Sequence, residues 1–127
     1  SGASPFLMAL APLYACSKPG ATVGVGVLLG PQHLNHQGAA HGGLLATLAD
    51  NAMGHNASIA MGSPIATVHL AIDYLNRASA GEWLELSTVI SKRGKRVTFA
   101  ECVGRVGDVD VFKAQGIFAS INLPPAE

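Results

Sequence analysis

Between residues 35 and 50 the chain brings together Asn35, His41, Gly42, Gly43, Thr47 and Asp50, a combination of side chains and bare backbone suited to acyl-transfer chemistry. Gly42 and Gly43 stand where a polar loop enters an apolar, proline-free segment with the composition of a long helix. The first turn of a helix carries unpaired N–H groups and the positive end of the helix dipole. With no side chain in the way, an acyl carbonyl can approach Gly43 and have its developing oxyanion stabilised by the backbone. The plainer alternative is a glycine-rich loop that only caps the helix. At ~100° per residue, Gly43, Thr47, Asp50, Gly54 and Ser58 fall on one side of that helix, while Leu45, Leu48, Ala52 and Ile59 fall opposite as core. Aspartate is a poor mid-helix residue. Set on a stripe of small residues instead of among Lys and Glu, Asp50 reads as a general base or a nucleophile. A solvated carboxylate is the plainer alternative.

The spacing has a further consequence. Seven helical residues separate Gly43 from Asp50, about 10.5 Å at ~1.5 Å per residue. One carbonyl does not easily meet both ends of that span. Two copies of the helix side by side solve the problem, with the Gly43 amide of one subunit facing Asp50 of the other. The site then lies at a twofold interface and occurs twice per dimer.

The elements that must hold these groups follow from the pattern. Ser4 and Pro5 read as an N-cap and first helical residue. Phe6, Leu10 and Leu13, with Tyr14 beside them, mark one face of a short helix that Lys18, Pro19 and Gly20 break. Thr22 to Leu29 reads as a strand, followed by a polar loop from Gln32 to Ala40. Leu44 to Met61 is the long helix, stopped by Gly62 and Pro64. Four strand-like segments follow, roughly Ile65–Leu75, Trp83–Arg93, Arg96–Val106 and Val109–Asn122, joined by short turns as antiparallel neighbours. Residues 1–127 then form a single α+β domain, with an antiparallel sheet wrapped around one long helix as in a hotdog fold.

At this point Asn35, His41, Gly42, Gly43 and Asp50, with their spacing, resemble the signature of the PaaI-like (phenylacetyl-CoA thioesterase type) branch of the hotdog superfamily. Ile72–Leu75 and the pair Ala80, Gly81 resemble that family's strand and turn after the helix. The resemblance implies hydrolysis of a small or medium acyl- or aryl-CoA by a homodimer, often paired into a homotetramer. It implies Asn35 and His41 near the thioester, Gly43 as oxyanion donor and Asp50 as base or nucleophile. Thr67 matches the Ser or Thr that in some relatives helps hold the water. Gly42, Thr47 and Arg77 fall among the substrate-binding positions. Relatives often have Arg-Pro where this chain has Asn76-Arg77, which bears on the coenzyme A contact.

Composition narrows the alternatives. With 49% hydrophobic and 13% charged residues, the chain can bury a core and is not of disordered type. A formal net charge of +0 offers no broad field for a nucleic acid. No run is long enough to span a bilayer. Cys16 and Cys102 fit a reducing cytoplasm, with a single disulfide as the alternative. His33, His36 and His41 crowd one loop, but no Asp, Glu or Cys joins them there. They read as polar loop residues, and neither a metal nor another cofactor is expected beyond coenzyme A within the substrate. His55 and Asn56 read as hydrogen-bonded groups at the edge of the core or an interface. Asp50 and His55 are five apart, the spacing of hotdog enoyl-CoA hydratases. On one helix they stand ~140° apart and do not share a substrate. Lys92, Arg93, Lys95 and Arg96 sit in one hairpin and read either as a solvated turn or as a clamp for coenzyme A phosphates. A non-catalytic acyl-CoA-binding module remains the alternative to an enzyme, and a binder has no need of the Asp50 base.

Overall fold

A computed structural model describes residues 4–10, 12–16 and 22–121. In chain order the elements are α1 (Pro5–Leu10), β1 (Leu13–Cys16), β2 (Gly24–Leu28), a 3-10 turn (Pro31–His33), α2 (Gly42–Met61), β3 (Ile65–Tyr74), β4 (Trp83–Arg93), β5 (Val97–Val106) and β6 (Val109–Ser120). The strands form one antiparallel sheet in the order β1-β2-β4-β5-β6-β3. Helix α2 lies against one face of it and contacts β3, β4, β5 and β6. This is the α+β hotdog arrangement that the sequence implies.

Period-two alternation puts Leu84, Leu86, Ala100, Cys102, Phe112, Ala114 and Phe118 on the helix side of the sheet, all buried. Leu45, Leu48, Ala49, Ala52 and Met53 of α2 meet them. The helix ends at Gly62, whose positive φ of 66° and N–H bonds to Ser58 and Ile59 carbonyls make a glycine C-cap. Asn56 is buried in α2 and behaves as an extra strand residue. Its Oδ1 accepts from the Val23 N–H at 2.7 Å, and its Nδ2 donates to the Val23 carbonyl at 2.9 Å.

Several expectations are corrected. Leu13 and Tyr14 are not helical; they belong to β1, which pairs with β2. Pro12 accounts for this, because a proline inside a helix removes a backbone hydrogen bond and clashes with the preceding turn. β3 is not the neighbour of β4. It pairs with β6 and becomes a sheet edge, since residues 75–82 make a link long enough to cross, unlike the tight turns of the other two hairpins. Gly54 does not lie on the side away from the core. It is buried, and a Cβ there would lie 3.3 Å from Ile65 and 3.5 Å from the Phe118 ring. Ile59 is not core but 59% exposed. Cys16 and Cys102 are free. β2 and β4 separate their strands, and three steps of ~4.8 Å far exceed the ~7 Å limit between bridged Cα atoms. The Lys18–Gly20 break and Asn122 lie outside the described residues. No helix among the described residues is long and apolar enough to cross a membrane.

Candidate active site

The start of α2 is held from both sides. His41 is the N-cap, and its Nδ1 accepts a hydrogen bond from the Gly43 N–H at 2.9 Å. One turn on, the Thr47 hydroxyl donates to the Gly43 carbonyl at 2.9 Å. From β3, the Tyr74 hydroxyl donates to the Gly42 carbonyl at 2.7 Å. A Cβ at Gly42 would stand 3.3 Å from the Tyr74 ring, so the bare residue permits this close contact. The Gly43 amide is therefore not free in the isolated chain: an N-cap side chain takes the orphan N–H two residues along. This contact makes the neutral His41 ring the Nε2–H tautomer, because Nδ1 is the acceptor.

Asn35 builds the loop that delivers His41. Its Oδ1 accepts from the N–H groups of Gln37 and Ala39 at 2.9 and 3.1 Å, and the Arg77 guanidinium donates to the Gln37 carbonyl at 2.6 Å. Asn35, Gly42, Tyr74 and Arg77 line one cleft of about 630 Å³.

Asp50 stands two turns down the helix, half-buried. Its Oδ1 accepts from the Thr67 hydroxyl of β3 at 2.8 Å. The structure thus forms two groups, His41–Gly43 with Asn35 and Arg77, and Asp50 with Thr67, separated by two turns of α2. The strand that carries Thr67 is an edge, bulged between Thr67 and His69, with Val68 62% exposed.

Lys92, Arg93, Lys95 and Arg96 are all exposed. The Arg96 carbonyl accepts from the Ser120 N–H, and Ser120 faces Ile65. The basic hairpin therefore lies at the end of the sheet where β3 begins, opposite Tyr74 and Gly42. Within one chain it does not join the helix-start site. His33 is a buried latch instead of a polar loop residue: its Nδ1 accepts from the Gly30 N–H at 3.0 Å, and Nε2 bonds the Leu10 carbonyl at 2.8 Å. His55 is exposed, while Asn56 is buried. Among the described residues no group of three His, Cys, Asp or Glu is placed to hold a metal.

Residues 37–113 match the family model described as Thioesterase superfamily. The chain belongs to the thioesterase superfamily. It is 36% identical over 117 residues to a Pseudomonas aeruginosa protein named "Putative esterase PA0474", covering 91% of this chain and 87% of that one. A mouse protein named acyl-coenzyme A thioesterase 13 is 36% identical over 74 residues, covering 54% of this chain and 50% of that one. The crystal structure of zebra fish thioesterase superfamily member 2 superposes with a TM-score of 0.85 at 25% identity, covering 92% of this chain and 88% of that one. This thioesterase is a thioester hydrolase. Sequence reasoning missed Tyr74 and the His33 latch as supports of its site. A tyrosine near a strand end carries no signal of the glycine it will face. A histidine latch shows only once its two backbone partners are in place.

Proposed function

We propose that the substrate is an acyl-CoA carrying a small or medium acyl or aryl group, and that Asp50 is the general base or nucleophile. The observation that carries this reading is the Thr67 hydrogen bond to Asp50 Oδ1 beside the exposed β3 edge. Thr67 occupies one carboxylate oxygen and orients the group, leaving the other for water or the thioester carbon. In the water route Asp50 takes a proton, hydroxide attacks the carbonyl, the C–S bond breaks, and the leaving thiolate takes the proton. In the direct route Asp50 attacks the carbonyl carbon, the C–S bond breaks to release coenzyme A as its thiolate, and water then cleaves the mixed anhydride to free acid and the Asp50 carboxylate. Both give free acid and coenzyme A, and neither needs a metal or redox cofactor.

An unpaired, partly apolar edge strand is a template for another copy. Two β3 edges paired antiparallel about a twofold axis set the α2 helices side by side, so that Asp50 of one subunit serves the His41–Gly43 group of the other. The same pairing carries the basic hairpin of the facing subunit toward this chain's Gly42 end, where Lys92, Arg93, Lys95 and Arg96 join Arg77 around the coenzyme A phosphates. Val89 and Phe99, 61% and 40% exposed on the face of the sheet away from α2, suit the pairing of two dimers into a homotetramer. The free thiols of Cys16 and Cys102 fit a cytoplasmic location.

The test is Asp50→Asn against a panel of acyl-CoAs. Turnover is expected to fall at least about a hundredfold, the low end of a general acid–base contribution, with fold and acyl-CoA binding retained. Near-normal kcat in the Asn variant sinks the assignment.

A further inference from the structure

Two clefts meet at the first turn of α2, and they differ in chemistry. Gly42 lines the one that contains Asn35, Tyr74 and Arg77. His41 and Gly43 line the other, about 340 Å³, whose remaining walls include Phe6 and Leu10 of α1 together with Leu34 and Leu44. Two polar side chains in this second cleft are already satisfied. The Thr47 hydroxyl is spent on the Gly43 carbonyl, and both ring nitrogens of His33 bond backbone. Besides Gln32 and the His41 imidazole, what the cleft presents to a ligand is hydrocarbon and the Phe6 ring. Phe6 and Leu10 are four apart, on one face of α1. The His33 bond to the Leu10 carbonyl fixes the inner end of that face, while Phe6 at the outer end is 63% exposed.

We infer that the α1 cleft receives the acyl chain, and that Phe6 makes this thioesterase favour apolar acyl groups long enough to reach the ring over acetyl-sized ones. The inference rests on the proposed acyl-CoA reading and extends it to the substrate's acyl end. A thioester carbonyl at the His41–Gly43 group has two substituents and two clefts to receive them. The anionic coenzyme A side belongs with Arg77, and the apolar side with Phe6, Leu10, Leu34 and Leu44. The volume sits at the lower end of the ~300–1,000 Å³ typical of small-molecule sites, which suits an acyl group and not a nucleotide.

The test uses binding and not turnover, so that it stands apart from the Asp50 assignment. Calorimetry with S-octyl-CoA and S-methyl-CoA, thioethers that cannot be hydrolysed, is done on wild type, Phe6→Ala and Met8→Ala. Met8 is equally exposed on α1 but does not line the cleft, so its variant controls for general damage to the helix. Loss of ~50 Å² of apolar contact at ~25 cal/mol per Å² weakens S-octyl-CoA binding by Phe6→Ala about tenfold, with S-methyl-CoA unchanged and Met8→Ala like wild type for both. Equal weakening of both ligands, no weakening of either, the same loss in Met8→Ala, or no binding of S-octyl-CoA by wild type overturns the inference. Octyl-selective binding in a chain that turns over no acyl-CoA sinks the hydrolytic role of Asp50 while leaving the acyl cleft standing.

Discussion

Gly43→Pro and Asp50→Asn chains, each nearly inactive alone, are expected to rescue one another when mixed. The reason is a distance. Gly43 and Asp50 are separated by seven residues of one helix, about 10.5 Å of rise. A reacting centre lies about 3 Å from each group that hydrogen-bonds it, so roughly 6 Å is spanned. The tilt of the Asp50 side chain toward the helix start does not close the difference. On the proposed reading, a donor and a base from different subunits serve each site. A heterodimer of the two variants pairs one doubly defective site with one intact site and has about half of wild-type activity. Random exchange of equal amounts makes about half the dimers mixed, so the solution recovers about a quarter of wild-type turnover. The Gly43→Pro chain is a fair partner in folding terms. The Gly43 N–H bonds His41 and not a helix carbonyl, so proline in this first turn removes a cap worth about 1 kcal/mol and leaves the helical ladder intact. The assay is acyl-CoA turnover after subunit exchange, with heterodimers verified by two affinity tags. Verified heterodimers with no recovered activity refute the reasoning, because donor and base then act within one chain.

Neutralising Lys92, Arg93, Lys95 and Arg96 together is expected to raise KM for an acyl-CoA more than for the matching acyl-pantetheine, since only the former carries the phosphates; equal changes reduce the hairpin to a solvated turn. Asn56→Ala leaves the Val23 N–H and carbonyl without their side-chain partner. Chemical denaturation is expected to show a loss of roughly 2 kcal/mol, the low end of about 1–3 kcal/mol for each of these two part-buried groups. Burial pushes the Cys102 thiol from an ordinary 9.0 up to about 11, with the neighbouring Thr88 side chain opposing the rise. A thiol held protonated in the fold but ionised in the unfolded chain contributes stability below pH 9.0 that is lost as pH rises toward 11. Wild type is therefore expected to lose stability across that window more steeply than Cys102→Ala, and parallel denaturation curves from pH 8 to 11 would count against it.

The long helix, the strand after it and the two hairpins were legible because periodicity is a local property. An apolar stripe at helical spacing survives any tertiary arrangement, and so do Gly62 after the last helical residue and Gly107 at the β5–β6 turn. Asp50 was legible for the same reason, since helix geometry alone separates it from Leu45 and Leu48. What fills the space beside a stripe is not local. Gly54 shares the angular position of Asp50, yet the Phe118 ring claims its surface, while Thr67 claims the Asp50 carboxylate. Nothing in the spacing distinguishes a glycine that admits a ligand from one that admits a ring. The pairing of β3 with β6 instead of β4 was equally hidden. Alternation shows which face of a strand is buried but not which neighbour supplies its backbone hydrogen bonds, and that choice made β3 an edge. The chain by itself determined the chemistry available, a carboxylate and a glycine helix start two turns apart on one helix. Tertiary structure decided what else they would touch, because the bonds of Tyr74 and Thr67 to α2 form only once β3 lies down beside the helix.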